Sequence, residues 1–205
     1  TPLSQVKTFI YNLLKTKFVF DHFIIKRNTQ DTKGHWTLEK LTKNSDSVYY
    51  KNSFEKEQDN DKDNDRLIML QSAFHVSTPT MNYKHWLNAT LYYLYQNYNK
   101  QDPETGINAS DYVQHLEAIA RNFMLRRFLT SNPDDYHHII YKTSDIRNSG
   151  LKLDENISDP NAIRSQIETH LRYRNIRSVF VFNYLDYLLW LQEDRPKFLF
   201  TSRNS

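Results

Sequence analysis

The stretch Tyr83-Lys-His-Trp-Leu-Asn-Ala-Thr-Leu-Tyr-Tyr-Leu-Tyr-Gln-Asn-Tyr98 decides the fold class of this chain. Its apolar residues recur three and four positions apart: Tyr83, Trp86, Leu87, Leu91, Leu94, Tyr95 and Tyr98. An α-helix has about 3.6 residues per turn, so this spacing places the apolar residues on one face. The stretch therefore predicts an amphipathic helix that packs against a core.

Helical signals continue on both sides of this stretch. Towards the C-terminus, Ser110 can cap a helix. Its apolar face is Tyr112, Val113, Leu116, Ile119, Ala120, Phe123 and Met124. Towards the N-terminus, an aspartate at 63 or 65 can cap a helix that carries Leu67, Ile68, Leu70, Ala73 and Phe74. Thr1-Pro2 and Asp159-Pro160 each combine a capping residue with proline at the first helical position, which predicts two more helices.

Two segments are apolar on nearly every side. Residues 18–25 predict a buried helix, with a buried strand as the alternative, because the segment is too short to decide between the two. Residues 179–191 are apolar except for Asn183 and Asp186. We expect this last helix to lie in the core.

The composition favours long helices with few turns. The chain has 205 residues with only 3 glycines and 6 prolines, which disfavours sandwiches and barrels. We predict an all-α fold, a bundle of about seven to nine helices with at most a short strand near the C-terminus. Residues 1–205 should form a single helical domain, a fragment of a longer protein, in which residues 44–65 are a polar and mobile excursion.

The same composition limits which cellular compartment and which kinds of binding partner we expect. With no cysteine the chain has no disulfide, which fits a reducing compartment, and we expect the cytoplasm. No apolar run reaches the roughly 20 residues that span a bilayer, so we expect no membrane partner. The net charge of +3 indicates no particular ligand.

No catalytic, cofactor-binding or metal-binding residue is predicted. The alternating aspartates at 59, 61, 63 and 65 lack the glycine and the final glutamate of a calcium loop. The eight histidines form no zinc-binding pair, and the three glycines are too scattered for a phosphate-binding loop. Isolated serines and carboxylates show no spacing typical of a nucleophile or an acid–base pair.

Arginines and one tyrosine form the only candidate contact site. The residues are Arg172, Tyr173, Arg174 and Arg177, together with Arg121, Arg126 and Arg127. Guanidinium groups neutralise phosphates, so these residues predict contacts to a nucleic-acid backbone. Structural pairing with Asp and Glu is the competing interpretation of the same residues.

Several stretches resemble the GmrSD-type family of bacterial restriction proteins. The resemblance lies in Val179-Phe-Val-Phe-Asn-Tyr-Leu-Asp-Tyr-Leu-Leu-Trp-Leu191 and in Lys197-Phe-Leu-Phe-Thr-Ser-Arg-Asn-Ser205. Further matches in order and spacing are Phe20-Asp-His-Phe-Ile-Ile25, the tryptophan of His35-Trp-Thr-Leu38, Ile68-Met-Leu-Gln-Ser72 and Tyr83-Lys-His-Trp-Leu87. The chain contains neither the family's DGQQR motif nor its His-Asn-His nuclease residues, and it stops at Ser205, just before the Glu-His of the nuclease motif.

The resemblance implies a non-catalytic helical connector of a DNA-restriction protein. Such a connector positions an N-terminal, nucleotide-dependent domain and a C-terminal nuclease domain, so its partners would be the flanking domains of the same chain and DNA. The alternative is a protein–protein interaction or dimerisation domain without a nucleic-acid role, which the many tyrosines and phenylalanines would suit.

Overall fold

The fold is mostly helical, as the sequence predicts. The computed structural model describes residues 2–28, 34–54, 62–78, 84–99, 106–142 and 160–192. The helices are α1 (Pro2–Phe23), α2 (Lys62–Ser77), α3 (His85–Asn97), α4 (Ala109–Phe123), α5 (Pro160–Leu171) and α6 (Phe180–Gln192). The strands are β1 (Lys26–Asn28), β2 (His35–Thr37), β3 (Glu39–Lys43) and β4 (Val48–Asn52). Two π-helical turns follow α4, at Met124–Phe128 and at His138–Lys142.

Helix α2 is the centre of the core. All eight residues from Leu67 to Phe74 are buried, because α4 and α6 pack against the helix and β2 also contacts it. A helix that is covered on every side needs partners for its polar groups, and two polar side chains in this run, Gln71 and Ser72, are hydrogen-bonded. Helices α4 and α6 are therefore placed by their contacts with α2.

The two helices with the clearest helical spacing are confirmed. Helix α3 buries Trp86, Ala89, Thr90 and Leu94. Helix α4 and the turn after it bury every residue of the predicted apolar face. The N-cap of α4 is Asn108 instead of Ser110: its side chain accepts a hydrogen bond from the backbone N–H of Asp111 at 3.0 Å. Asn108 is the cap because the helix already begins at Ala109, so Ser110 lies inside its first turn.

A column of aromatic rings connects α3, α2 and α6. Neighbouring ring centroids are between 4.7 and 6.1 Å apart. The rings are, in order, Trp86, Phe74, Phe180, Tyr184, Tyr187 and Trp190. Such contacts add to the free energy gained by burying the rings. The column fixes α6 against the centre of the core.

The strands lie where the sequence predicts none. β1 pairs antiparallel with β2, so that Arg27 lies opposite Trp36, and β3 pairs antiparallel with β4, so that Leu41 lies opposite Tyr50. The expectation of at most one short strand near the C-terminus is thus wrong for residues 26–52; the predicted C-terminal strand lies outside the described residues. The consecutive β-forming residues Val48, Tyr49 and Tyr50 favour a strand, although the surrounding composition is that of a polar loop.

Most of the predicted polar excursion at 44–65 belongs to regular structure where it is described. Residues 48–52 form β4, Phe54 is 3% exposed, and α2 begins at Lys62. Phe54 contacts Phe23 and Tyr112 through their rings, which anchors the end of the hairpin on the core. Residues 55–61 lie outside the described part.

Helix α1 is continuous from Pro2 to Phe23, so residues 18–23 are helical and the strand alternative is wrong. The prediction that 18–25 is buried holds for Val19, Phe23, Ile24 and Ile25, whereas Phe18 and Phe20 are exposed. A single helix offers the core only one face, so apolar residues on the other faces stay accessible.

Helix α6 also differs from its prediction. Phe180, Val181, Tyr184 and Tyr187 are buried, but most of its other apolar residues are exposed. They are Phe182, Leu185, Leu188, Leu189 and Leu191, and Val179, directly before the helix, is also exposed. The helix lies on the core with one face and leaves the opposite face accessible.

Candidate functional site

The arginines of the candidate contact site separate into two groups. Arg172, Tyr173, Arg174 and Arg177 all lie in the turn between α5 and α6, and all four are exposed. Tyr173 is 87% exposed, and the guanidinium of Arg174 lies 5.6 Å from the centre of its ring. Arg174 has a φ of 71°, a left-handed conformation that costs a non-glycine residue about 1 kcal/mol. We call these four residues the arginine turn.

The backbone of the arginine turn is held by hydrogen bonds. The N–H of Asn175 donates to the carbonyl of Arg172 at 2.9 Å, and the Asn175 side chain donates to the carbonyl of Thr169 at 2.8 Å. Arg177 reaches the carbonyl of Thr130 at 3.4 Å. The turn therefore presents its side chains from a fixed backbone.

Arg126 and Arg127 are structural. Both lie on the π-helical turn after α4. The Nη2 of Arg126 is 2.6 Å from Oδ2 of Asp134 in a largely buried ion pair. Arg127 donates to the Asp134 carbonyl at 2.5 Å, and its guanidinium lies 4.1 Å from the ring centre of Tyr136. For Arg126 the structure supports the competing interpretation of the sequence, pairing with an acidic residue, whereas Arg127 is held by a backbone carbonyl and an aromatic ring.

Arg121 lies apart from both groups, in the last turn of α4. It is exposed and close enough to α6 to influence Tyr184. Burial and, to a smaller extent, the charge of Glu117 raise the pKa of the Tyr184 hydroxyl to about 12, while the positive charge of Arg121 acts in the opposite direction.

A polar triad that sequence reasoning missed joins the three core helices. Arg66 of α2 donates from Nη2 to Oε1 of Glu117 in α4 at 2.7 Å, and the hydroxyl of Tyr187 in α6 donates to the same oxygen at 2.6 Å. Burial and the charge of Glu117 hold the pKa of Tyr187 far above its usual range. Residues so distant in the chain carry no spacing signal that would predict this triad.

A second polar cluster holds the end of α1. Gln71 donates from its side-chain nitrogen to the carbonyl of Phe23 at 3.2 Å and accepts from the N–H of Ile25 at 3.1 Å. The hydroxyl of Tyr112 donates to the same carbonyl at 3.1 Å. A glutamine inside the run Leu67–Phe74 is a sequence signal for such a buried polar contact, and it could have been recognised.

A cavity of about 750 Å³ lies between the C-terminal half of α1 and the hairpins. Its two lysines are already engaged: Lys17 pairs with Asp21, and the amine of Lys26 donates to the backbone carbonyls of Asp21 and Glu39. Burial lowers the pKa values of Lys26 and of His22, which also lines the cavity. The hydrogen bonds of the Lys26 amine to two backbone carbonyls indicate a structural role for this lysine and not a catalytic one.

The described residues contain no group of three His, Cys, Asp or Glu side chains placed to hold a metal ion. Among the described helices, none combines the length and the hydropathy that crossing a membrane requires. No protein-family model matches the chain, and neither a curated protein nor a solved structure matches it.

Proposed function

We propose that this chain is a non-catalytic connector, a helical bundle from a cytoplasmic DNA-restriction protein of the GmrSD type. In this role it holds neighbouring domains of the same protein in a fixed orientation. The observation that carries the proposal is the exposed apolar face of α6, taken together with the resemblance of that helix to the family's middle region.

The α6 face consists of Phe182, Leu185 and Leu189. These residues are 51%, 39% and 49% exposed, and their spacing of three and four places them on one stripe. At about 100° per residue the stripe points away from the buried residues Phe180, Tyr184 and Tyr187. An apolar stripe of this kind suits a protein surface that also offers apolar side chains.

The attachment of α6 to the core is rigid enough to transmit an orientation. The aromatic column joins it to α2 and α3, and the triad of Arg66, Glu117 and Tyr187 joins it to α2 and α4. A domain that docks on the α6 face would therefore be fixed relative to the whole core.

The decisive experiment is to read the gene on both sides of the segment that encodes this chain. The connector role expects Val-Glu-His directly after Ser205 and a DGQQR domain before Thr1. A start codon before Thr1 and a stop codon after Ser205 would refute it.

The docking role of the α6 face is tested in the full-length protein. Phe182→Ser with Leu189→Ser should reduce protection against phage at least tenfold while circular dichroism stays unchanged, because both side chains are exposed. Asp186→Ser is the matched control on the same helix and should leave protection unchanged. Equal protection in all three proteins would contradict docking on this face.

The arginine turn supports a second function, contact with a DNA backbone. Its three guanidinium groups are exposed and close in sequence, and Tyr173 beside them can stack or donate a hydrogen bond. Contacts of this kind are electrostatic, so they depend on salt. The fixed backbone of the turn reduces the entropy that binding would cost.

DNA contact is tested by fluorescence anisotropy with a labelled duplex of about 20 base pairs over a salt series. Arg172→Ala, Arg174→Ala and Arg177→Ala combined should lower the slope of log K against log salt by about 2 to 3. A charge-matched control replaces Lys7, Lys43 and Lys51, which lie on α1, β3 and β4. An identical slope for the arginine variant and the wild type would rule out contact through this turn.

A further inference from the structure

The first half of α1 carries an apolar seam. Residues 2–14 are all exposed. Leu3, Val6, Ile10 and Leu13 are 64%, 52%, 48% and 58% exposed. They follow the alternating spacing of three and four residues with which one helix packs along another. Phe9 and Leu14, which are 67% and 64% exposed, flank them. We call Leu3, Val6, Ile10 and Leu13 the α1 seam.

The seam points away from the rest of the molecule. The opposite stripe of α1 faces the body: Asn12 accepts a hydrogen bond from the Tyr95 hydroxyl at 2.6 Å, the amine of Lys15 lies 4.2 Å from the ring centre of Tyr95, and Val19 and Phe23 are buried. At about 100° per residue, the two stripes lie roughly 140° apart around the helix axis. The contacts of α1 with the described core therefore leave the seam open.

The size of this surface fits an interface between two proteins. At roughly 200 Å² for a fully exposed large apolar residue, the seam and its two flanking residues expose about 700 Å², close to the 800 Å² per partner of a standard interface. A monomer rarely exposes a contiguous apolar patch of that size.

We propose that the α1 seam binds the α1 seam of a second copy of this chain, with the two helices antiparallel. The seam is nearly symmetric about Thr8, so a two-fold axis there brings Leu3 opposite Leu13 of the second copy and Val6 opposite Ile10. Each contact is then made twice, as a two-fold interface requires. This dimer does not depend on the connector role, since it rests on α1 alone.

Charge and bulk both favour the antiparallel arrangement. Lys17 continues the seam's spacing by one position, and in a parallel pair it would lie opposite Lys17 of the second copy, which is unfavourable. In the antiparallel pair about Thr8 the two Lys17 residues lie about 27 Å apart along the helix axis. The bodies, which pack against the second half of α1, then lie at opposite ends of the paired helices and do not compete for space.

The first test measures the mass of this chain by sedimentation equilibrium at about 5 to 500 μM, a range that detects a dimer with a micromolar dissociation constant. The wild type should shift from monomer to dimer. Ile10→Lys should weaken dimerisation at least tenfold without changing the circular dichroism. Gln5→Lys adds the same charge to an exposed residue off the seam and should dimerise as the wild type does. A wild type that stays monomeric, or an Ile10→Lys variant that dimerises equally well, would overturn the proposal.

The second test determines the direction of the helices. Because the chain has no cysteine, single-cysteine variants form only the cross-links they were designed to report. A mixture of Val6→Cys and Ile10→Cys should give a mixed disulfide-linked dimer on mild oxidation, and each variant alone should give little. Efficient cross-linking of each variant with itself would indicate parallel helices and refute the antiparallel arrangement.

Discussion

Gly106 has a φ of +66°, and the ring of Tyr98 lies directly beside its Cα. A Cβ at this position would be 2.8 Å from Cδ2 of Tyr98 and closer still to Cε2. Both the backbone conformation and the space therefore require glycine. The carbonyl of Gly106 accepts a hydrogen bond from the N–H of Asn99 at 2.8 Å, so a displacement here also disturbs the end of α3.

Gly106→Ala should lower the free energy of unfolding by about 2 to 4 kcal/mol, which combines the left-handed conformation with overpacking. Gly34→Ala is the matched comparison. Its φ is +56°, but its Cβ would lie 3.1 Å from Nε of the flexible Arg27 and 3.3 Å from the carbonyl oxygen of Asn28, both longer than the contacts with Tyr98 at Gly106, so the loss should be smaller, about 1 to 2 kcal/mol. Urea denaturation measures both, and equal losses would show that Tyr98 moves aside freely.

Glu117 accepts hydrogen bonds from two helices through one oxygen atom. Glu117→Gln keeps the shape but removes the negative charge, and we expect it to lower the free energy of unfolding by about 1.5 to 3 kcal/mol. Glu168→Gln breaks the exposed pair that Glu168 forms with Arg164 and should leave the free energy of unfolding nearly unchanged. Chemical denaturation of both variants decides whether the triad stabilises the core or merely fills space.

The joint between α1 and α2 depends on Gln71. Gln71→Leu leaves the buried N–H of Ile25 without its partner, so the free energy of unfolding should fall by about 1 to 3 kcal/mol. Tyr112→Phe should cost less, because the carbonyl of Phe23 keeps its bond to Gln71. Gln114→Leu, on the exposed face of α4, is the control and should be near neutral. Hydrogen exchange at Ile25 should accelerate in Gln71→Leu only.

Sequence patterns predicted α3 and α4 because each has one apolar and one polar face, so the spacing alone identifies the buried residues. Phe182 and Leu185 belong to a helix that was expected to be buried, yet both side chains are exposed. In α1 and α6 apolar residues occur on opposite faces, and no pattern within the helix says which face the core covers. The hairpins were not predicted because each strand, taken alone, has the composition of a polar loop. The pairing of Leu41 with Tyr50 becomes apparent only when the two strands lie side by side.

The candidate site was also predictable only in part. A sequence places Arg172, Arg174 and Arg177 close together, and the structure exposes them on one turn. It cannot show that Arg126 turns inwards to Asp134, since the π-helical turn that brings them together is a local deviation from α-helical spacing.

Acid should destabilise the entire fold through its histidines. Burial lowers the pKa values of His22, His75 and His85; the charges of Lys84 and Arg27 add to the effect at His75, and that of Arg127 at His85. Each of these imidazoles therefore binds a proton less tightly in the folded state than in the unfolded state. The resulting stability is present above about pH 6.5 and is lost as the pH falls through the folded pKa values.

We expect the free energy of unfolding to fall between pH 7 and pH 5. His75→Gln should flatten this dependence, because Gln cannot take up the proton. Urea denaturation of the wild type and of this variant at several pH values measures the change. A steeper dependence in His75→Gln would mean that the sign of the linkage is wrong.

The aromatic column that joins α3, α2 and α6 is also a chain of chromophores. The neighbouring ring centroids of Tyr184, Tyr187 and Trp190 lie 6.1 Å apart, a separation at which excitation passes from tyrosine to tryptophan, so light absorbed by the two tyrosines is emitted by Trp190. Because the rings are fixed in an asymmetric environment, they also give a near-ultraviolet circular dichroism signal that vanishes when the packing is lost. The fold thus carries an intrinsic optical probe of the contact between α6 and the core, and no label is needed to follow its formation.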